Sequence, residues 1–137
     1  MPTTWKKVFN FETLYLIADN GDMRSRDRTT HLKNGQVRTY RGKTLKTPTL
    51  KSGYQIVCLS RNGVTTTYLV HQLVSKAFLP PPDGPIGTKK GEYHVHHKNG
   101  DKSDNRVQNL EYVKVEDHVA MHHSDRQRGR QRMRQAA

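Results

Sequence analysis

Short apolar runs separated by turn residues fill the first half of the chain, and two stretches carry helical spacing. Leu14-Tyr15-Leu16-Ile17-Ala18 is a compact apolar strand, and Asp19-Asn20-Gly21-Asp22 turns the chain after it. Met23-Arg24-Ser25-Arg26 then alternates as a strand with one basic face. Asn34-Gly35 precedes Val37-Arg38-Thr39-Tyr40, and Asn-Gly beside strand-like runs signals a hairpin. The signal recurs at Asn62-Gly63, between Tyr54 to Leu59 and Val64 to Tyr68. From Leu69 the period changes. Val70, Leu73, Val74, Ala77 and Phe78 recur at helical spacing, and Pro80-Pro81-Pro82 ends that helix. His71 on this helix reads as a packing or surface histidine.

The last third repeats the strand pattern and closes on a helix. Tyr93 to His97 is a short strand, and Lys98 to Asn105 is a polar loop dense in turn residues. Leu110 to Val113 is a second strand. Val115 to His123 reads as a helix, with Glu116 and Asp117 at its positive end. The expected fold class is α+β, with an N-terminal antiparallel β-rich part followed by a strand–loop–strand–helix motif. Four segments follow: 1–50, β-rich; 51–91, hairpin, helix and Pro-rich linker; 92–123, the histidine-bearing motif; 124–137, a basic tail.

Composition narrows the partners. The 137 residues suit one small domain or a domain with an appendage, and hydrophobic residues make up only 32%, so the core is modest. The formal net charge of +12 favours a polyanion: DNA, RNA or an anionic membrane. No apolar run approaches the ~18–20 residues needed to cross a bilayer. The N-terminal residues lack the apolar stretch of a secretory signal, so the expectation is an intracellular protein, neither secreted nor membrane-bound. The single cysteine, Cys58, excludes an internal disulfide and a Cys-rich zinc finger; its apolar run suggests a buried core thiol.

The candidate chemistry lies in histidine. Six of the eight histidines fall between His94 and His123. His118 and His122 are four apart on the expected helix and share a face, and His96 on the strand would supply a third metal ligand. Three protein ligands with open positions describe a catalytic site. Neighbours on a strand point to opposite faces, so His96 and His97 do not easily hold one ion; one suits the metal and the other a base. His94 and His123 fall outside this set. A metalloprotease would need His-Glu-x-x-His, whereas the helix reads His118-Val119-Ala120-Met121-His122. A closed zinc site would need His94 or His123 as fourth ligand, an uncommon all-histidine set.

The run Val95-His96-His97-Lys98-Asn99-Gly100-Asp101-Lys102-Ser103-Asp104-Asn105-Arg106-Val107-Gln108-Asn109-Leu110-Glu111-Tyr112 resembles the core of HNH endonucleases of the phage and intron homing type, which implies a ββα-metal fold. In that resemblance His97 matches the general base, Asn109 the asparagine that braces the loop and base, and His118 a metal ligand on the helix. Upstream, Trp5-Lys6, Phe11-Glu12, Tyr15-Leu16-Ile17, Asn20-Gly21, Arg24-Ser25, Leu45-Lys46, Gly53-Tyr54 and Val70-His71-Gln72-Leu73-Val74 resemble the modular DNA-binding motif that often precedes such a domain. The homing enzymes usually carry Asp or Asn before the base and often Asn on the helix. Here His96, His118 and His122 resemble the three-histidine site of colicin-type DNases.

The resemblance implies a metal-dependent endonuclease that hydrolyses DNA phosphodiesters to 5′-phosphate and 3′-hydroxyl ends, by nicking or by double-strand cleavage. It implies His97 and Asn109 as catalytic residues, and His96, His118 and His122 as ligands of one divalent ion. Magnesium or manganese would drive turnover, while imidazoles also suit zinc or nickel. The partner is double-stranded DNA, bound by a monomer or homodimer, in the host cytoplasm if the gene is a phage's. Arg24, Arg26 and Arg38 on the basic strands, Lys98, Lys102 and Arg106 in the loop, and Arg126 and Arg128 in the tail are candidate DNA contacts; a solvated basic surface is the alternative for each. Two rival readings are a non-catalytic DNA-binding protein, such as a repressor or packaging accessory, and an RNA-binding protein.

Overall fold

The computed structural model describes residues 3–117. The expected helix beyond residue 117, with His118, His122 and His123, and the tail with Arg126 and Arg128 lie outside the described residues. The fold is α+β, with mostly antiparallel strands and few helices.

Three small strand groups precede the helix. β1 (Trp5–Lys7), β2 (Tyr15–Ala18) and β3 (Met23–Ser25) form an antiparallel sheet with β2 in the middle. β1 has no apolar alternation and is exposed throughout; it forms because it pairs with the apolar edge of β2, Lys6 opposite Ile17. β4 (Arg28–His31) and β5 (Val37–Tyr40) make a two-stranded ribbon with every residue exposed. β6 (Ile56–Arg61) and β7 (Val64–Leu69) form a hairpin. At its tip Asn62 and Gly63 both have positive φ, 53° and 77°, the pair a two-residue hairpin turn requires.

α1 (Val70–Phe78) follows β7 directly. It buries Val70, His71, Val74 and Ser75, so the deepest stripe runs through two polar residues beside the apolar face read from sequence. Ser75 is satisfied by donating its hydroxyl to the carbonyl of His71 at 2.7 Å. The prolines from Pro80 end the helix as expected.

β8 (Tyr93–His97) and β9 (Leu110–Lys114) pair, with a short 3-10 turn, Val107–Asn109, leading into β9. Backbone bonds from Lys98 N to Asn109 O (2.8 Å) and from Val115 N to Glu92 O (2.9 Å) mark an antiparallel register.

Among the described residues the chain gathers into two compact units. One takes in the chain up to Pro80 together with His97–Glu111, and the other Pro81–His96 together with the chain from Tyr112. The core of the first unit is Val8, Phe11, Ile17, Ala18, Met23, Val57, Leu59, Val70, Val74 and Leu110, all buried. Tyr15 joins β2 to β6: its hydroxyl accepts from Ser60 N at 2.9 Å. In the second unit, Gly91 N donates to the Glu116 carboxylate at 2.8 Å, and residues 115–117 are helical.

Cys58 corrects its expectation. Val57 and Leu59 are buried, and Cys58 between them is exposed, because alternate strand residues face opposite ways. Its Sγ lies 3.6 Å from the Thr67 hydroxyl across the hairpin. Among the described residues, no helix is long and apolar enough to cross a membrane.

Candidate active site

His97 ends β8 and is 6% exposed. Its Nε2 lies 2.9 Å from Oδ1 of Asn105, itself buried. Asn105 Nδ2 in turn donates to Gln55 Oε1 at 2.9 Å. Two rings flank the imidazole: His71 of α1, edge-on at 5.1 Å between centroids, and Tyr54, at 6.2 Å. Tyr54 and His71 lie 5.2 Å apart, so the three rings form one cluster. Burial, and secondarily the nearby His97, lower the His71 pKa to about 4, so this ring is neutral near pH 7.

The polar loop after β8 is held by its own side chains. Asn99 Oδ1 accepts from Asp101 N at 2.9 Å, and Asp101 Oδ1 accepts from Ser103 N at 3.0 Å. These are the local Asx turns that asparagine and aspartate favour. Asp104 accepts from Asn99 Nδ2 and makes a two-pronged ion pair with Arg106, at 2.8 Å to Nε and 2.7 Å to Nη2. That guanidinium holds the half-buried Asp104 carboxyl at about 2, below the usual carboxylate range.

Asn109 closes the loop. Its Oδ1 accepts from Asn99 N (3.1 Å), and its Nδ2 donates to Asn99 Oδ1 (3.0 Å) and to the Asp104 carbonyl (2.9 Å). Asn109 therefore braces the loop, and the side chain on His97 is Asn105.

The other candidates divide. His96 is half-buried and lies on the opposite face of β8 from His97 by strand alternation. Among the described residues, no three His, Cys, Asp or Glu side chains gather as a metal site. Lys102 lays its ammonium 4.8 Å over the Tyr54 ring, and Lys98, directly after His97, is exposed. Arg106 spends its guanidinium on Asp104. On β3, Arg24 stacks 4.9 Å over Trp5, and just beyond β3 Arg26 donates to the Glu12 carbonyl at 2.7 Å. Both line a hollow of about 420 Å³ with Leu16, Ser25, Asp27 and Gly42. On the ribbon, Tyr40 lies between Arg28 (5.0 Å) and Arg38 (5.7 Å).

Sequence reasoning did not assign Asn105, Gln55 or Tyr54 to the site, and it read His71 only as packing or surface. Asn105 stood inside the motif without a role. Nothing local marks Gln55, whose partner is 50 residues away.

The HNH endonuclease family profile matches residues 68–120, and the NUMOD4 motif matches residues 4–60. The chain thus carries an HNH endonuclease domain with a NUMOD4 motif ahead of it.

Two curated relatives are each 31% identical to it. One is the uncharacterized HNH endonuclease L245 of Acanthamoeba polyphaga mimivirus, aligned over 89% of this chain and 30% of the relative. The other is the DNA endonuclease I-HmuI of Bacillus phage SP01, aligned over 80% of this chain and 51% of the relative. A solved structure of DNA binding and cleavage by the HNH homing endonuclease I-HmuI superposes with a TM-score of 0.65 at 30% identity, covering 89% of this chain and 59% of that one. The chain thus spans about half of I-HmuI and under a third of the mimivirus protein.

Proposed function

We propose that the chain is a metal-dependent DNA endonuclease of the homing type, with His97 as the general base. The observation that carries this reading is the seat of His97: a buried imidazole at a strand end, tied to Asn105 and followed by a loop that Asn109 clamps shut. A base must be held in one orientation to take a proton from an attacking water, and this one is. The kinship with I-HmuI supports DNA as substrate, as does the net charge of +12.

In this mechanism a water attacks the phosphorus and the bond to the 3′-oxygen breaks, leaving 5′-phosphate and 3′-hydroxyl ends. His97 accepts the proton of the attacking water. Asn109 keeps the loop closed, and Asn105 fixes the imidazole. The metal ligands in this reading are His96, one residue before the end of β8, with His118 and His122 beyond the described residues. HNH nucleases generally use a divalent ion; magnesium or manganese would drive turnover, and a set of imidazoles also suits zinc or nickel. A bound divalent ion would offset the phosphate charge and stabilise the departing 3′-oxygen.

Residues 1–50 would grip the duplex, 51–91 would connect, 92–123 would carry the chemistry, and 124–137 would add a basic arm. Within the grip, the exposed β4–β5 ribbon with Arg38, and the hollow at Arg24 and Arg26, present cations to phosphates. Lys98 and Lys102 would hold the strand near the scissile bond.

Supercoiled plasmid incubated with the protein and magnesium, manganese, nickel or zinc tests the reading. Nicking that needs the ion and stops with chelator is expected. DNA bound but never cut under any ion would leave a non-catalytic binding protein, and preferential binding of structured RNA would leave an RNA-binding one.

A further inference from the structure

The amide of Asn105 meets His97 on one side and Gln55 on the other. An amide oxygen accepts and never donates, so the 2.9 Å bond from His97 Nε2 to Asn105 Oδ1 requires the proton on Nε2. The second bond, Asn105 Nδ2 to Gln55 Oε1 at 2.9 Å, holds the amide that way round. Turning Asn105 over would set its NH2 against a donor-bearing ring nitrogen and its oxygen against the Gln55 oxygen. The opposite tautomer therefore needs both amides reversed together.

The site has little room for such rearrangement. Asn105 is 2% exposed, and its Cβ sits 3.0 Å from where a Cβ on Gly21 would lie. Gln55 is anchored through its backbone, whose carbonyl accepts from Val70 N at 3.0 Å. Tyr54 and His71 flank the imidazole.

We propose that Asn105, oriented by Gln55, is a positioning residue that fixes His97 as its Nε2–H tautomer and so makes Nδ1 the proton-accepting atom. Gln55 belongs to the segment that precedes the nuclease motif, so the motif takes part of its catalytic geometry from outside itself. The proposal rests on His97 being the base, but the tautomer is readable whether or not the protein cuts DNA.

The test uses the full chain labelled with ¹⁵N-histidine, at about pH 8, above the usual histidine range. Two-bond ¹H–¹⁵N correlations should show His97 with a protonated Nε2 and a pyridine-like Nδ1. Asn105→Ala should give a tautomer mixture and lower nicking by roughly 10–100-fold. Asn105→Asp keeps an acceptor, so it should restore the Nε2–H form and most of the nicking. Gln55→Leu, which leaves Asn105 in place, should also loosen the tautomer and serves if Asn105→Ala does not fold. A wild-type Nδ1–H tautomer would overturn the proposal. So would an unchanged tautomer in both Asn105→Ala and Gln55→Leu. A wild-type protein with the expected tautomer but no nicking would refute the nuclease reading and leave the positioning role standing.

Discussion

His71 sets the edge of its ring against His97, with centroids 5.1 Å apart and planes at 68°, and its buried Nδ1 has no hydrogen-bond partner among the described residues. A protonated His71 would place a poorly solvated cation beside the proposed base. Burial prevents this by lowering the His71 pKa from 6.5 to about 4.

Stability should therefore depend on pH through His71. Between pH 6.5 and 4 the unfolded chain binds a proton at this ring that the folded chain refuses. The contribution is fully present above 6.5, is lost progressively as pH falls toward 4, and is flat below that. The loss is on the order of 3 kcal/mol. Urea unfolding across this range should show a shallower slope for His71→Phe than for wild type; equal slopes would refute the assignment.

His97→Ala should lower plasmid nicking by roughly 10²–10⁴-fold while leaving DNA binding within a few fold. Nicking rates and gel-shift titrations on the same preparations check this. Full cleavage by a pure variant would remove His97 as the base.

Metal binding should separate His118 from His123. By their spacing, His118→Ala should lose divalent-ion binding in calorimetry and His123→Ala should keep it. The reverse pattern would reassign the ligand face.

Asn109→Ala removes three hydrogen bonds that close the loop between the strands. With their partners left in a part-buried setting, the cost should be about 2–3 kcal/mol. Hydrogen exchange should speed up at the Asn99 amide, the one bonded to Asn109 Oδ1.

Salt dependence should rank the arginines. Arg38 stands on an exposed ribbon, while Arg106 already pairs with Asp104. Arg38→Ala should lower the slope of log affinity against log salt by about one, and Arg106→Ala by less. Equal losses would show that the Asp104 pair opens on DNA.

The legible parts of the fold were those with a local cause. The Asn62-Gly63 turn demands positive φ, and the structure has it at both residues. The strand Tyr93–His97 has the bounds its sequence implies, because an apolar-polar run lies between turn residues. β1 is not legible in the sequence, because Trp5-Lys6-Lys7 carries no pattern of its own and is a strand only through its pairing with β2.

In the site, Asn109 was legible through the family resemblance, and its bracing bonds are local. Gln55 reaches Asn105 across 50 positions of chain and His71 reaches His97 across 26, by the difference of their numbers, and no spacing encodes that. His71 also sat one position off the apolar stripe, where helix periodicity assigns it to the flank. The helix is instead rotated so that His71 and Ser75 are buried.

The turn at Gly21 has a consequence for engineering. Its φ of +95° and bare Cα let Asn105 pack against it, and the Val107 amide donates to the Asp19 carbonyl at 2.8 Å. The loop that follows His97 thus leans on a turn laid down some eighty residues earlier in the chain. A graft of residues 92–123 onto a foreign scaffold would arrive without its backing, so this motif is not a portable cassette. Chimeras should keep the Asp19–Gly21 turn and Gln55 together with the motif they swap.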